Sequence, residues 1–261
     1  QWYGITDGGM VSLQRDGDIS LDSLGPPLPG LEFRVTDEGE FVMKNDYLTS
    51  GYHKDLEAYQ QVNRDGCFYT GDGGYIDENG HIHFYDRVKD LAILADGTRF
   101  SPQYIEGRLR FSPYIREVMI VGGSDKPYVT AIINIDFDST SKWAEKHHLP
   151  FTTFADLSQK LPVYQMIQRD IGRVNKTLPP SAKIKKYALL HKEFDPDEGE
   201  LTRTRKLRRK FMEERYQGLI EAMYAGKTEV LTETEVRYRD GRRAKTGVVI
   251  NIKSIEPEAV G

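Results

Sequence analysis

The feature that most constrains this chain is a change of regime near residues 87–90. Before it, short runs of strand composition are separated by Gly, Pro, Asn and Asp. Leu31-Glu32-Phe33-Arg34-Val35, Glu40-Phe41-Val42-Met43 and the run 80–85 read as strands, with Asp77-Glu78-Asn79-Gly80 as a hairpin turn. After it, helical and strand patterns alternate. A helix is expected over 102–111, with Ser101 as N-cap and Pro102 in its first turn. Apolar runs over 118–121 and 129–135 predict buried strands, followed by helices at 138–148 and 162–177 and a strand at 184–190. One amphipathic helix is expected over 206–224, and a last hairpin over 229–252 turning at Arg239-Asp240-Gly241-Arg242. The expectation is an α+β protein: a β-rich piece over 1–87, a smaller α+β domain over 88–228, and a β-hairpin extension over 229–261.

Composition narrows the function. The 261 residues carry 36 Lys and Arg against 40 Asp and Glu, a net charge of −4, so no global basic field points to nucleic acid. A hydrophobic share of 38% with 29% charged residues is that of a globular chain. The single cysteine, Cys67, excludes an internal disulfide framework and fits a reducing cytoplasm. No apolar run reaches the roughly 20 residues a membrane-spanning helix needs; the expected location is the cytoplasm, with peripheral membrane attachment as the alternative. The opening Gln1-Trp2-Tyr3-Gly4 lacks an initiator Met, and the chain is expected to be a piece of a longer protein.

Four stretches can carry chemistry. In Tyr3-Gly4-Ile5-Thr6-Asp7, a tyrosine face can stack on a purine, a threonine hydroxyl can donate to phosphate, and a carboxylate can hold Mg²⁺. An ordinary turn is the plain alternative. In Tyr69-Thr70-Gly71-Asp72, an Asp at a strand end beside a Gly-rich turn can accept both hydroxyls of a ribose; a surface turn is the alternative. Asp86-Arg87-Val88-Lys89-Asp90, followed by Gly97-Thr98 and Glu106, offers a guanidinium to a ribose hydroxyl, or is a surface charge cluster. In Gly199-Glu200-Leu201-Thr202-Arg203-Thr204-Arg205-Lys206, Lys206 can neutralise charge developing at a phosphate. The alternatives there are a solvated basic helix start or a nucleic-acid patch. The six histidines lack metal-ligand spacing, His81 and His83 included, and Trp2 and Trp143 read as packing residues. No serine nucleophile elbow or Walker loop is present.

In this order the four stretches resemble the adenylate-forming superfamily of acyl-CoA synthetases, luciferase-like enzymes and peptide-synthetase adenylation domains. The similarity runs from residue 1 to about 224. It implies that residues 1–87 close the large AMP-binding domain as a distorted barrel-like subdomain, and that 88–228 form a mobile lid. It places Asp72 and Arg87 on the ribose, Tyr3 on the adenine, Thr6 on phosphate and Asp7 near the metal. Lys206 falls on the adenylation lysine, Lys89 on the domain hinge, and Gly97 with Thr98 on the loop lining the CoA tunnel. ATP, Mg²⁺ and CoA are the implied cofactors and co-substrates, with a fatty acid and the N-terminal half of the same protein as partners.

Two departures bear on this. Asp7 stands where the family usually has Glu, and Thr204-Arg205 replace the usual Ser-Gly before the lysine. The Leu-Thr-x-Thr-x-Lys pattern resembles the long-chain fatty acyl-CoA synthetase branch, so the expected activity is AMP-forming fatty acid:CoA ligation. Loading of another acid or of a carrier protein is the near alternative, and a non-catalytic lid-fold binding module the distant one. The family's phosphate-binding loop is expected upstream of residue 1, so the isolated chain is expected to be inactive.

Overall fold

The computed structural model describes residues 1–20, 22–195, 197–203, 207–237 and 243–255, with backbone only over 233–237 and 243–246. The chain divides into two compact units: Gln1–Leu91 with Arg99–Ser101, and Ala92–Thr98 with Pro102 onward.

In the first unit, β1 (Trp2–Ile5) and β2 (Gly9–Leu13) form an antiparallel ribbon. A second sheet runs β3 (Glu32–Val35), β4 (Glu40–Lys44), β6 (Cys67–Ile76), β5 (Asn63–Arg64), with β7 (Ile82–Arg87) also paired to β6. A short helix, α1 (Leu56–Val62), is capped by Asp55, whose carboxylate accepts from Ala58 N. Val11, Phe41, Met43, Phe68 and Ile82 make the core. The expected strands at 31–35, 40–43 and 80–85 form within a residue or two. Trp2 corrects the sequence reading: it is 62% exposed rather than packed. Its cross-strand partner Leu13 is exposed as well, while Val11 and Ser12 of β2 are buried.

Beyond the ribbon and sheet come two short strands, β8 (Ala92–Ile93) in the second unit and β9 (Arg99–Phe100) in the first. The second unit continues with α2 (Pro102–Leu109), β10 (Ile115–Val121) and β11 (Val129–Ile135). Every residue of β11 is buried, as its apolar run predicts. It is central, antiparallel to β10 and parallel to β12 (Ile184–Leu189). The crossover from β11 to β12 carries α3 (Phe137–Lys146), α4 (Phe154–Ser158) and α5 (Leu161–Lys176). Asp136 caps α3, and Pro162 sits in the first turn of α5 where its missing N–H costs nothing.

The single helix that the amphipathic pattern predicts over 206–224 does not form among the described residues 207–224. They give α6 (Arg209–Arg215) and α7 (Gln217–Tyr224), broken at Tyr216. Tyr216 leaves helical geometry at φ −102°, ψ 18°, and its buried hydroxyl donates to Glu200 at 2.6 Å. A tertiary hydrogen bond overrides local propensity there. The final hairpin, β13 (Glu229–Arg237) and β14 (Arg243–Ser254), forms as expected; its Asp240-Gly241 turn lies outside the described residues. It is integral to the second unit, because β14 adds to β12 and completes the order β10-β11-β12-β14-β13. Ile250 and Ile252 of β14 are buried, each contributing roughly 1.5–3 kcal/mol.

Candidate functional site

The chemistry-bearing residues of the first unit meet around Asp72. The sequence suggests a turn there, but Asp72 lies inside the ten-residue β6, directly opposite Arg87 of β7. The glycines that mimic a turn make a bulge at Gly73/Gly74 instead. A Cβ on Gly74 would lie 1.9 Å from the His83 carbonyl oxygen and 2.5 Å from the Phe41 ring, so close strand approach requires glycine.

Asp72 is 6% exposed and its carboxylate is held from two sides. Tyr3 Oη donates to Oδ2 at 2.6 Å, and Arg87 Nη1 stands 3.0 Å from Oδ1. Arg87 Nη1 also donates to the Thr70 carbonyl at 2.9 Å. Thr70 ties the site to the sheet: its hydroxyl donates to the Phe41 carbonyl and accepts from Asp72 N. Burial, then the hydrogen bond to Asp72 and its negative charge, push the Tyr3 phenol well above its ordinary range, so it remains a donor. The Tyr3 ring meets Phe41 edge-on at 5.7 Å. A carboxylate has about four lone-pair sites and a guanidinium five N–H donors, so both groups keep unused capacity for a ligand.

Thr6 and Asp7 lie in the turn between β1 and β2, Thr6 exposed and Asp7 half-buried. Burial, then the nearby Asp7 carboxylate, raise the Tyr52 phenol above its ordinary range, and the Asp7 carbonyl accepts from Thr49 N at 2.7 Å. Among the described residues no group of three or more His, Cys, Asp or Glu side chains could hold a metal ion. One carboxylate does fit Mg²⁺, which commonly takes one or two carboxylates and fills its shell with water and phosphate oxygens. His81 and His83 are engaged otherwise, His81 between Ser23 and Asp18, and His83 on Asp77 and stacked on Tyr75.

Lys89 is the exposed middle residue of a single 3₁₀ turn, Val88–Asp90, that ends the first unit's main segment. Gly97, at φ +86°, sits in a tight turn closed by Leu94 N to the Thr98 carbonyl, with Thr98 N donating to Asp96. A Cβ there would meet nothing within 4 Å, so the glycine is needed for backbone conformation rather than space. Lys206 lies outside the described residues. Sequence reasoning missed the role of Thr70; it sat inside a quoted motif, but which partners its hydroxyl reaches depends on strand pairing.

The fold is that of adenylate-forming enzyme domains. MatB from Rhodopseudomonas palustris aligns with a TM-score of 0.55 at 24% identity, over 84% of this chain and 40% of that one. The adenylation domain of a carboxylate reductase from Mycobacterium chelonae aligns at 0.51 and 24%, over 86% and 34%. Residues 89–228 match the family described as AMP-binding enzyme C-terminal domain, and the chain belongs to that family. Among curated relatives, the long-chain-fatty-acid–CoA ligase FadD15 of Mycobacterium tuberculosis is 31% identical over 225 residues, 85% of this chain. Fatty acyl-CoA synthetase A of Dictyostelium discoideum is 28% identical over 243 residues, also 85% of the chain. The chain spans 37% and 36% of those two relatives. Among the described residues no helix is long and apolar enough to cross a membrane.

Proposed function

We propose that this chain is the C-terminal portion of a cytoplasmic, AMP-forming long-chain fatty acid:CoA ligase. The observation that carries the reading is the Tyr3–Asp72–Arg87 cluster: a buried carboxylate, fixed on both sides, with acceptor capacity to spare. Asp72 accepts the two ribose hydroxyls of ATP, Arg87 donates to one of them, and the Tyr3 ring stacks on the adenine. Thr6 donates to phosphate. Asp7 holds Mg²⁺, which when bound offsets the charge of the phosphates.

The reaction has two steps. A fatty carboxylate attacks the α-phosphorus, a new P–O bond forms, and pyrophosphate leaves with the electrons of the broken bond. Lys206 neutralises charge as that transition state develops. The chain then turns about Lys89, and the Gly97–Thr98 turn lines the path of the CoA thiolate. The thiolate attacks the acyl carbonyl, AMP leaves, and the thioester forms. The similarity to fatty acyl-CoA synthetases supports the choice of acid and acceptor.

The test uses the longer protein in which this chain is the C-terminal portion. Pyrophosphate release is measured with fatty acids of graded length, then with CoA present. Release that depends on long-chain acids, followed by CoA thioester formation, is expected. Release with unrelated acids only would overturn the fatty-acid assignment, and no release with any carboxylate would overturn the enzyme.

A further inference from the structure

Strands β4 and β6 fall out of step beside Asp72. Val42 pairs with Tyr69 and Glu40 with Gly73, so Phe41 alone faces Thr70, Gly71 and Asp72. The surplus residues of β6 form a bulge, and bulges beside sites re-aim side chains. Gly71, in the middle of it, stands at φ +70°, the left-handed region that glycine enters freely. Its N–H donates to a side chain, Glu40 Oε1, at 3.0 Å.

Side chains thus hold the bulge along its length. Thr70 Oγ1 donates to the Phe41 carbonyl at 2.9 Å and accepts from Asp72 N at 3.1 Å, and Glu40 takes the residue between them. Glu40 is itself fixed from behind. Its N–H donates to Thr36 Oγ1 at 3.0 Å, and its carbonyl accepts from Thr36 N at 2.9 Å. In the same turn the Gly39 carbonyl accepts from Gly74 N at 2.9 Å, which grips β6 beyond the bulge. A glutamate placed only for solubility would extend into water; this one is half-buried on a backbone N–H.

We propose that Glu40 is a positioning residue for Asp72, and that its grip on Gly71 sets how strongly the site prefers a ribose to a 2′-deoxyribose. The inference rests on the sugar-binding role of Asp72 given above. Two adjacent hydroxyls can both donate to one carboxylate only over a narrow range of angles, because hydrogen bonds weaken steeply as they bend. A bulge free to rock keeps some contact with the sugar and loses the second hydroxyl first. Tyr3 and Arg87 hold the carboxylate oxygens of Asp72. Glu40 holds the backbone that carries them.

The experiment uses the longer enzyme with Glu40→Ala, Glu40→Gln and Asp72→Ala. Amide hydrogen exchange over residues 69–72 is read without nucleotide. Equilibrium binding and pyrophosphate release are read with ATP and with 2′-deoxy-ATP. Glu40→Ala should speed the exchange by about tenfold or more, since the Gly71 N–H loses its acceptor. It should raise KM for ATP roughly 10-fold while kcat stays within about threefold. The preference for ATP over 2′-deoxy-ATP should fall by roughly 3- to 10-fold, in binding and in kcat/KM alike. Glu40→Gln keeps an oxygen at the same reach and should stay within about twofold of wild type in every readout. A preference unchanged in Glu40→Ala, a loss confined to kcat, or a Glu40→Gln variant as impaired as Glu40→Ala would overturn the positioning role. Should Glu40→Ala fail to fold, Glu40→Asp keeps the charge but withdraws the oxygen by one methylene, and must show the same fall in preference. If Asp72→Ala itself keeps the full preference for ATP, the underlying reading fails. If Asp72→Ala removes the preference and Glu40→Ala does not lower it, only the positioning proposal fails.

Discussion

Asp72 of β6 and Arg87 of β7 stand opposite each other in the ladder and meet side chain to side chain at 3.0 Å, with Tyr3 closing on the other carboxylate oxygen. Cross-strand register thus sets the spacing of the two residues assigned to the sugar. Arg87 is half exposed while Asp72 is buried, so the guanidinium can turn toward a ligand without uncovering the carboxylate.

The Tyr3–Asp72 bond is a neutral donor on a buried charged acceptor, a class contributing about 1.5–3 kcal/mol. Tyr3→Phe should destabilise the first unit by that amount while leaving the ring's contact with Phe41. Urea unfolding followed by Trp2 fluorescence, in a Trp143→Phe background, checks this. A loss under about 0.5 kcal/mol would show the bond to be replaceable by water.

Two glycines should respond differently to alanine. At Gly74 the new methyl collides with backbone oxygen and an aromatic ring, so Gly74→Ala should cost about 3 kcal/mol or more, the upper end for overpacking. At Gly97 only the left-handed φ is penalised, and Gly97→Ala should cost about 1–2 kcal/mol. Denaturant midpoints for both variants give the ratio. Comparable losses would mean that the strand contact at Gly74 relaxes easily.

Acid should weaken the second unit through Glu198. Its hydrogen bond to Lys192, outweighing partial burial, holds its carboxyl below the ordinary 4.5. The folded pKa is depressed, so the stabilisation is present above 4.5 and is lost as pH falls through the folded value. Glu106 acts oppositely: its folded pKa is raised, so its contribution is present below 4.5 and lost as pH rises. Glu198→Gln should flatten the fall of melting temperature below about pH 5. An unchanged slope would assign the acid sensitivity to other carboxylates.

Much of the fold was legible because its signals are local. The buried run of β11 was read residue for residue, and α3 and α5 within a residue or two, since apolar period marks them and Asp136 before α3 and Pro162 in the first turn of α5 suit helix starts. What failed depends on distant partners. The break at Tyr216 coincides with its bond to Glu200, sixteen positions earlier, and Gly218 two residues on is the one local sign of it. Asp72 looked like a turn residue because Gly71, Gly73 and Gly74 surround it, yet those glycines serve a bulge in a long strand. The short α1 has apolar residues at Leu56, Tyr59 and Val62, but two turns are too few to separate a helix from a strand by period alone.

The hinge assignment makes its own prediction. Proline at position 89 disfavours helical geometry at Val88, which belongs to the 3₁₀ turn, and fixes φ where rotation is needed. Lys89→Pro in the longer enzyme should slow thioester formation more than adenylation, read from the rate of each half-reaction. A larger loss in adenylation would place the hinge elsewhere.

The central claim is that this chain supplies the charge that stabilises acyl-adenylate formation, and Lys206→Ala tests it most directly in the longer enzyme. Acyl-adenylate formation is measured by fatty-acid-dependent pyrophosphate release, and transfer by thioester formation from supplied acyl-adenylate and CoA. The account predicts a drop of about two to three orders of magnitude in the first, the scale for losing one preorganised electrostatic group, and little change in the second. Equal losses in both steps, or none in the first, would contradict it.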